Sequence, residues 1–359
     1  MALTKYGPRA ASTRQRLMIY EPALEAAGMS IDYRPLLDDE HVARLSQGRR
    51  TSKLDVAKAY ARRLLTLAQA RPYDLLWIHY ELFPYLPWFE RLAAWTERPY
   101  VVDYDDATFH TYDSSRNAAV RRVLGGKLEP LLRRSEAVVC GNAYLEGYAS
   151  KHAAHTVVIP TVVDTDRYQP LSASLKIETG VTLGWIGSPT TWANVRPLLP
   201  MIERVCREHD VRFLAVGAGA AAKGDGFARL DLVNWTEAGE VADVQAMDIG
   251  IMPLLDQPFE RGKCGYKLIQ YMACGLPVIA SPIGVNADIV GDGDHGFLVT
   301  GGSAWEAALV KLIHDLALRL RMGSAGRKRV VERYSLKSQA PRLVELMRSV
   351  MNSTGRKIE

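Results

Sequence analysis

Apolar positions along this chain follow two alternating rhythms. Short runs of β-branched and aromatic residues are separated by longer stretches whose apolar residues recur at helical spacing. In the first half the strand-like runs are 73–80 (YDLLWIHY), 98–107 (RPYVVDYDDA), 137–141 and 156–164, with an apparent first strand just ahead of YGPRAASTR (6–14). Helical spacing covers 52–70 and 118–135, and the second run should break at Gly125-Gly126. The stretch 164–180 is polar, contains Pro170 and has little periodicity, which marks it as a linker. The alternation then restarts. Strands are expected at 181–188, 211–219, 232–235, 248–254, 276–281 and 296–300, and helices near 194–208 and 266–274. Residues 303–351 read as helical with small breaks, and 352–359 as a frayed end.

Short strands alternating with helices predict parallel sheets covered by helices on both faces. The fold class expected is α/β, with two Rossmann-like, doubly wound parallel-sheet domains in tandem. An amino-terminal domain spans 1–168 and a carboxyl-terminal one 169–335, with a terminal helix, 336–359, packing back toward the first. Such sheets bind ligands beyond the carboxyl ends of their strands, so the paired domains are expected to face a ligand cleft.

Composition narrows the class. A chain of 359 residues is too long for one ordinary core, and 48% hydrophobic with 24% charged residues excludes disorder. The net charge of +5 suits phosphates, acidic polysaccharide or an anionic membrane surface. Cys140, Cys206, Cys264 and Cys274 form no CxxC or Cys/His spacing, which points to a reduced, cytoplasmic protein without a structural metal. No run approaches the roughly 18 apolar residues of a membrane span, and the start lacks the apolar core of a signal peptide. The run 43–63 carries Arg44, Arg49, Arg50, Lys53, Lys58, Arg62 and Arg63. It fits either a solvated helix face or a helix lying on an anionic membrane, which would make the protein peripheral at the inner face of the plasma membrane. No basic-plus-aromatic recognition motif accompanies the charge, so nucleic acid is not an expected partner.

The chemistry concentrates in FERGKCGYKLIQYMACGLPVIAS (259–281). Tyr266, Leu268, Ile269, Met272 and Ala273 fit one helical face, closed by Gly275 and Pro277. The start of such a helix offers orphan backbone N–H groups and the positive end of its dipole, and Lys263 and Lys267 add two charges there. An anion site and a solvated basic helix start are equally consistent with this stretch taken alone. Its position after a strand-like run, at the edge of a parallel sheet, favours the anion.

GKCGYKLIQYMACGLPVIASPIGVNADIVGDGDHGFLV (262–299) resembles the donor-site signature of the retaining GT-B glycosyltransferases of family 4, also called group 1. LGWIGSPTTWANV (183–195), MDIGIMPL (247–254), GSAGRKRVVERYS (323–335), VVDYDDA (101–107), AVVCGNAYLEGYA (137–149) and VVIPTVVDTDRY (157–168) are similar to that family in order and spacing. The resemblance covers essentially the whole chain. It implies a nucleoside-diphosphate sugar held by the carboxyl-terminal domain and a glycan or lipid-linked acceptor presented by the amino-terminal one. No cofactor is implied, and no metal, because the helix start and the lysines replace it. Gly262, Lys263, Cys264, Gly265, Tyr266 and Lys267 would surround the diphosphate, with Lys263 and Lys267 offsetting the charge that develops as the glycosidic bond breaks. The family places two glutamates eight positions apart. Here Gly262 and Gln270 stand in those places, so Gln270 is left to meet the ribose and Glu260 or Lys263 to meet the sugar.

Other candidates follow the same logic. Gly187 and Ser188 end a strand, and Arg196 is the nearest basic residue beyond them; Trp235 and Glu240 resemble the border of the nucleotide base. In the first half Gly7, Arg9 and Arg14 open a helix suited to a phosphate-bearing acceptor. Asp103, Asp105 and Asp106 crowd a strand end, which suggests acceptor binding or loop organisation first and catalysis by Asp105 second. His79 and His110 could orient an acceptor hydroxyl. Two alternatives stay open beside the transferase: a dehydrogenase, which the lack of a GxGxxG disfavours, and a non-catalytic sugar-nucleotide-binding subunit, which the missing glutamates keep in view.

Overall fold

The computed structural model describes residues 1–46, 52–171 and 180–353. Arg49 and Arg50 of the basic run, linker positions 172–179 and the tail 354–359 lie outside the described residues. The chain forms two compact units: Met1–Thr161 with Gln257–Cys264 and the terminal helix from Gln339, and Val162–Asp256 with Gly265–Ser338.

The first unit holds six parallel strands: β1 (Ala2–Tyr6), β2 (Tyr33–Leu37), β3 (Leu76–His79), β4 (Tyr100–Tyr104), β5 (Ala137–Cys140) and β6 (Thr156–Val158), in the order β2-β1-β3-β4-β5-β6. β3, β4 and β5 are buried along their whole length, as continuous apolar runs in a sheet covered on both faces require. β2 does not stand out in the sequence because Pro35 interrupts it. It pairs only with β1, and an edge strand tolerates a residue with no N–H to donate. The 118–135 run is indeed two helices, Ala118–Leu124 and Glu129–Arg133, broken across Gly125-Gly126. The terminal helix is tied into this unit by Arg342, which donates to the Val158 carbonyl, and by Arg348, which donates to that of Ala27.

The second unit repeats the plan with β7 (Thr182–Ile186), β8 (Arg212–Val216), β9 (Leu230–Val233), β10 (Ile249–Met252), β11 (Val278–Ala280) and β12 (Gly296–Leu298), all parallel, in the order β12-β11-β10-β7-β8-β9. The helix expected near 194–208 is α-helical only over Leu199–Glu208. Residues 189–198 wind as tighter 3-10 turns, where Pro189 and Pro197 remove backbone donors. Among the described residues, no helix is long and apolar enough to cross a membrane.

The order reverses between β1 and β3 in the first unit and between β7 and β10 in the second, the places where such sheets leave a crevice at their carboxyl ends. The helix Tyr266–Ala273 is seated at the second reversal by two contacts. A Cβ on Gly250 of β10 would stand 2.3 Å from the Tyr271 ring, so only glycine lets that ring lie on the sheet. The Tyr271 hydroxyl then accepts from Ile186 N–H at 2.9 Å, the last residue of β7.

One buried ion pair organises the first unit. Arg16 donates from Nε to Asp103 at 2.6 Å and from Nη1 to the Ile159 carbonyl at 2.6 Å, while the Trp77 indole donates to the other Asp103 oxygen at 3.3 Å. Both charged side chains are buried. Burial pushes the Asp103 carboxyl up, and Arg16 draws it back down. Removing one partner would leave the other charge stranded, so Asp103→Ala is expected to destabilise this unit by about 3–5 kcal/mol. The measurement is its unfolding transition in urea, with Arg16→Met/Asp103→Leu expected to recover much of the loss.

Candidate functional site

In the second unit β7 runs out into Gly187. A Cβ there would stand 2.8 Å from Cε of Lys267, and one on Gly217, at φ 83, would stand 2.2 Å from the Gly187 carbonyl oxygen. The two strand ends and the lysine are therefore packed backbone to side chain, with no room for anything larger than glycine. The Lys267 ammonium lies 5.8 Å from the centre of the Trp185 ring. Gly265 begins the helix in the left-handed region, at φ 67, and a Cβ on it would meet Ile289 at 2.3 Å. Gly265, at the start of this helix, has no side chain with which to cap it. Lys267 and the first turn of Tyr266–Ala273 thus stand beside the end of β7.

A polar cluster lies further along the same helix. The buried Gln270 amide donates to Glu240 Oε1 at 2.7 Å and to the Tyr168 hydroxyl at 2.9 Å. The Trp235 indole donates to Glu240 Oε2 at 2.8 Å, and the Tyr168 hydroxyl also donates to Glu240. Burial pushes the Tyr168 phenol well above its ordinary range, and the Glu240 carboxylate adds to the effect. Trp235, Glu240 and Gln270 are therefore one network, and Tyr168 is the member the sequence did not single out. Its only signal was the VDTDRY run at the edge of the resemblance.

The remaining donor-side candidates have their groups engaged. Arg196 donates to Asp225 at 3.0 Å and to the Ala221 carbonyl at 2.5 Å, which pins the loop after β8. The Trp192 indole bond holds the Asp225 carboxyl below its usual range. Ser188 and Thr191 form a reciprocal cap on the turn that follows β7.

In the first unit, the short helix Pro258–Arg261 and the residues after it lie against the ends of β4 and β5. A Cβ on Gly262 would stand 2.4 Å from that of Ala107 and 3.0 Å from its backbone nitrogen, so no side chain fits at this position. Asn142 donates to the carbonyls of Gly262 and Lys263 at 3.0 and 3.2 Å, and Cys264 is buried in the core beside Gly141. Burial pushes the Cys264 thiol far up, which makes it an inert packing residue. Lys263 pairs with Asp106 at 3.1 Å and lies 4.7 Å from the centre of the Phe259 ring. Burial alone would lower the Lys263 ammonium, but Asp106 and Glu260 hold it above its ordinary value. Among the described residues, the buried Oε2 of Glu260 has no hydrogen-bond partner.

Asp105 faces His79 Nε2 at 3.1 Å and accepts from the Tyr80 hydroxyl. Burial would raise its carboxyl, yet His79, Arg16 and Tyr80 together hold it low, so it stands as a fixed anion. Nδ1 of His79 is buried and has no hydrogen-bond partner among the described residues. His110 lies apart from this group in its bonding. Its Nδ1 is 2.7 Å from Asp113 and its Nε2 is 2.8 Å from the Tyr144 hydroxyl; with Nδ1 protonated toward Asp113, Nε2 accepts from the tyrosine. Gly7 packs on Asp39, the Arg9 N–H donates to Asp39 at 2.9 Å, and Arg14 donates to the Pro8 carbonyl at 2.8 Å, which closes that loop on itself. Among the described residues, no three His, Cys, Asp or Glu side chains are grouped to hold a metal ion.

Residues 180–315 match the family "Glycosyl transferases group 1". A D-inositol 3-phosphate glycosyltransferase of Corynebacterium jeikeium is 29% identical over 70% of this chain, and the alignment spans 66% of that protein, just under two-thirds of its length. Among solved structures, a sucrose-phosphate synthase of Thermosynechococcus elongatus matches with a TM-score of 0.73 at 16% identity, over 98% of this chain and 99% of that one. Anabaena HepE in complex with UDP-glucose matches with a TM-score of 0.70 at 17% identity, over 97% and 98%. By fold the chain is a GT-B protein. Residues 180–315 of it resemble the group 1 glycosyltransferases, and the curated relatives it matches are glycosyltransferases.

The Gln270 network makes a quantitative prediction. A glutamate at 270 would set a second carboxylate against Glu240 in a buried site, forcing one of the two to take up a proton. Gln270→Glu is expected to lose about 1–3 kcal/mol of stability. The shared acid's raised pKa makes this loss greater in mild alkali than in mild acid. Urea unfolding of the single variant and of the swap Glu240→Gln/Gln270→Glu checks it, with the swap expected near wild type.

Proposed function

We propose that the protein is a retaining glycosyltransferase. It moves a sugar from a nucleoside-diphosphate donor to a hydroxyl of a glycan or lipid-linked acceptor, in cell-surface polysaccharide or glycolipid biosynthesis. One observation carries this: Lys267 and the glycine-led start of Tyr266–Ala273 stand beside Gly187 at the sheet's point of reversal. A diphosphate is the anion that suits a flexible ammonium plus a helix start. The likeness to a structure that holds UDP-glucose supports a sugar nucleotide as its carrier.

In the reaction so proposed, the bond between the anomeric carbon and the diphosphate oxygen breaks, and the electron pair leaves with the diphosphate. Lys267 and the helix dipole offset that charge, and Lys263 is proposed to add to it. The acceptor oxygen bonds to the anomeric carbon on the same face and its proton passes to the departing phosphate oxygen, so configuration is kept. No metal is needed for this balance of charge. Asp105, already held as an anion, organises the strand ends of the acceptor side and does not act as the base. Work in a reducing compartment such as the cytoplasm is part of the same reading, and all four cysteines are buried.

A thermal-shift screen of UDP-, GDP-, dTDP- and ADP-sugars tests the proposal, since a ligand at a hundredfold excess over its Kd stabilises by about 2.7 kcal/mol. At least one sugar nucleotide is expected to raise the melting temperature. Lys267→Ala and Lys263→Ala should lower affinity or turnover about tenfold or more with the unliganded melt unchanged. Wild-type affinity and rate in both variants would overturn the site. Tight binding with no transfer or hydrolysis, with or without acceptor, would make the chain a binding subunit instead.

A further inference from the structure

The helix Lys53–Ala68 of the first unit buries Ala59, Arg63 and Leu67, and its opposite face looks outward with Leu54, Lys58, Ala61 and Leu65 in line. Leu54 and Leu65 are 62% and 64% exposed, an apolar stripe where a solvated helix would carry polar residues. This helix packs against the 3-10 helix Phe89–Thr96, which turns outward Trp95, 79% exposed, with Trp88 at its cap, 67% exposed. Tyr85 and Phe89 are exposed beside them. Tyr85 and Trp88 sit in the left-handed region, at φ 59 and 66, where bulky residues are strained and glycine would be at ease. Retaining large aromatics at strained, solvent-facing positions calls for a partner that uses them.

The charge on the same two helices says what the partner is. Lys53, Lys58 and Arg62 lie on the exposed side of the first helix and Arg91 on that of the second, while Asp55 is turned to Arg44. Exposed tryptophans and tyrosine beside leucines and a rim of basic residues match the boundary of an anionic bilayer, with aromatic rings at headgroup depth and cations near lipid phosphates. We propose that the paired helices Lys53–Ala68 and Phe89–Thr96 are a docking surface for an anionic lipid membrane. The surface stands on its own residues and does not depend on the sugar-transfer reaction.

Flotation of the full chain with phosphatidylcholine vesicles, with and without phosphatidylglycerol, tests it. Wild type should float with the anionic vesicles and stay behind with the zwitterionic ones, and added salt should release it. Trp88→Ser/Trp95→Ser should reduce the bound fraction by about tenfold or more. Lys58→Gln/Arg62→Gln should reduce it by roughly fivefold per charge. All four positions are exposed, so unliganded melting temperatures near wild type confirm intact folds. The proposal is overturned if wild type does not float with anionic vesicles, or if both double variants float as well as wild type. It is also overturned if the chain sediments as a dimer that the tryptophan variant dissolves, which would make this face an interface between copies.

Discussion

A single side chain, Asn142, decides where Lys263 stands. Its carbonyl oxygen caps the helix after β5 by accepting from Leu145 N–H at 3.0 Å, and its amide reaches across to the backbone carbonyls of Gly262 and Lys263. Two close approaches complete the clamp: Gly262 on Ala107, and Gly141 against the Cys264 sulfur. Any side chain at either glycine would lift the segment off the strand ends. With the backbone held, the Lys263 ammonium meets Asp106, and the carboxylates after β4 keep their order. Residue 265 then enters the left-handed region and starts the helix of the second unit. The geometry of Lys263 descends from this stretch of fixed backbone.

The two departures from the family's paired glutamates have separate physical causes. At 262 the cause is steric, since the position is closed by Ala107 and could not carry a glutamate without moving backbone. At 270 it is electrostatic, since Glu240 already places a carboxylate there, and an amide can donate to it where an acid would repel it. Glu240, at the start of the helix Glu240–Gln245, supplies the carboxylate of this network, and Tyr168, Trp235 and Gln270 all donate to it.

Much of the architecture was legible in the sequence because parallel strands buried on both faces leave unbroken apolar runs, and eleven of the twelve strands have such a signal or an evident first position. Tyr33–Leu37 was not, because an edge strand answers to weaker rules and admits Pro35. The helix start at Gly265 beside Lys267 was legible from Gly-Lys spacing, a local property. What could not be read were pairings between distant residues: Gly262 with Ala107, Gln270 with Tyr168, and Arg196 with Asp225. Each depends on a contact that only the folded sheet creates. Spacing identifies which groups can act, and the fold decides which of them are already engaged.

The same division between local and distant causes explains how the first unit can hold bulky aromatics outward. The inner side of segment 80–90 is bolted to the core by charge. Glu90 accepts from the backbone N–H groups of Leu82 and Phe83 at 2.8 and 3.1 Å, and from Lys127 at 2.9 Å. Lys127 also donates to Glu81 at 2.6 Å and to the Phe83 carbonyl, and the Tyr112 hydroxyl donates to Glu81. Three buried charges in one network gain little net stability over an apolar core, because their desolvation offsets their attraction. What they supply is a single conformation, since every rearrangement would leave a charge without a partner. That rigidity offsets the strain at Tyr85 and Trp88, which a loosely packed loop would relax by turning its aromatics inward.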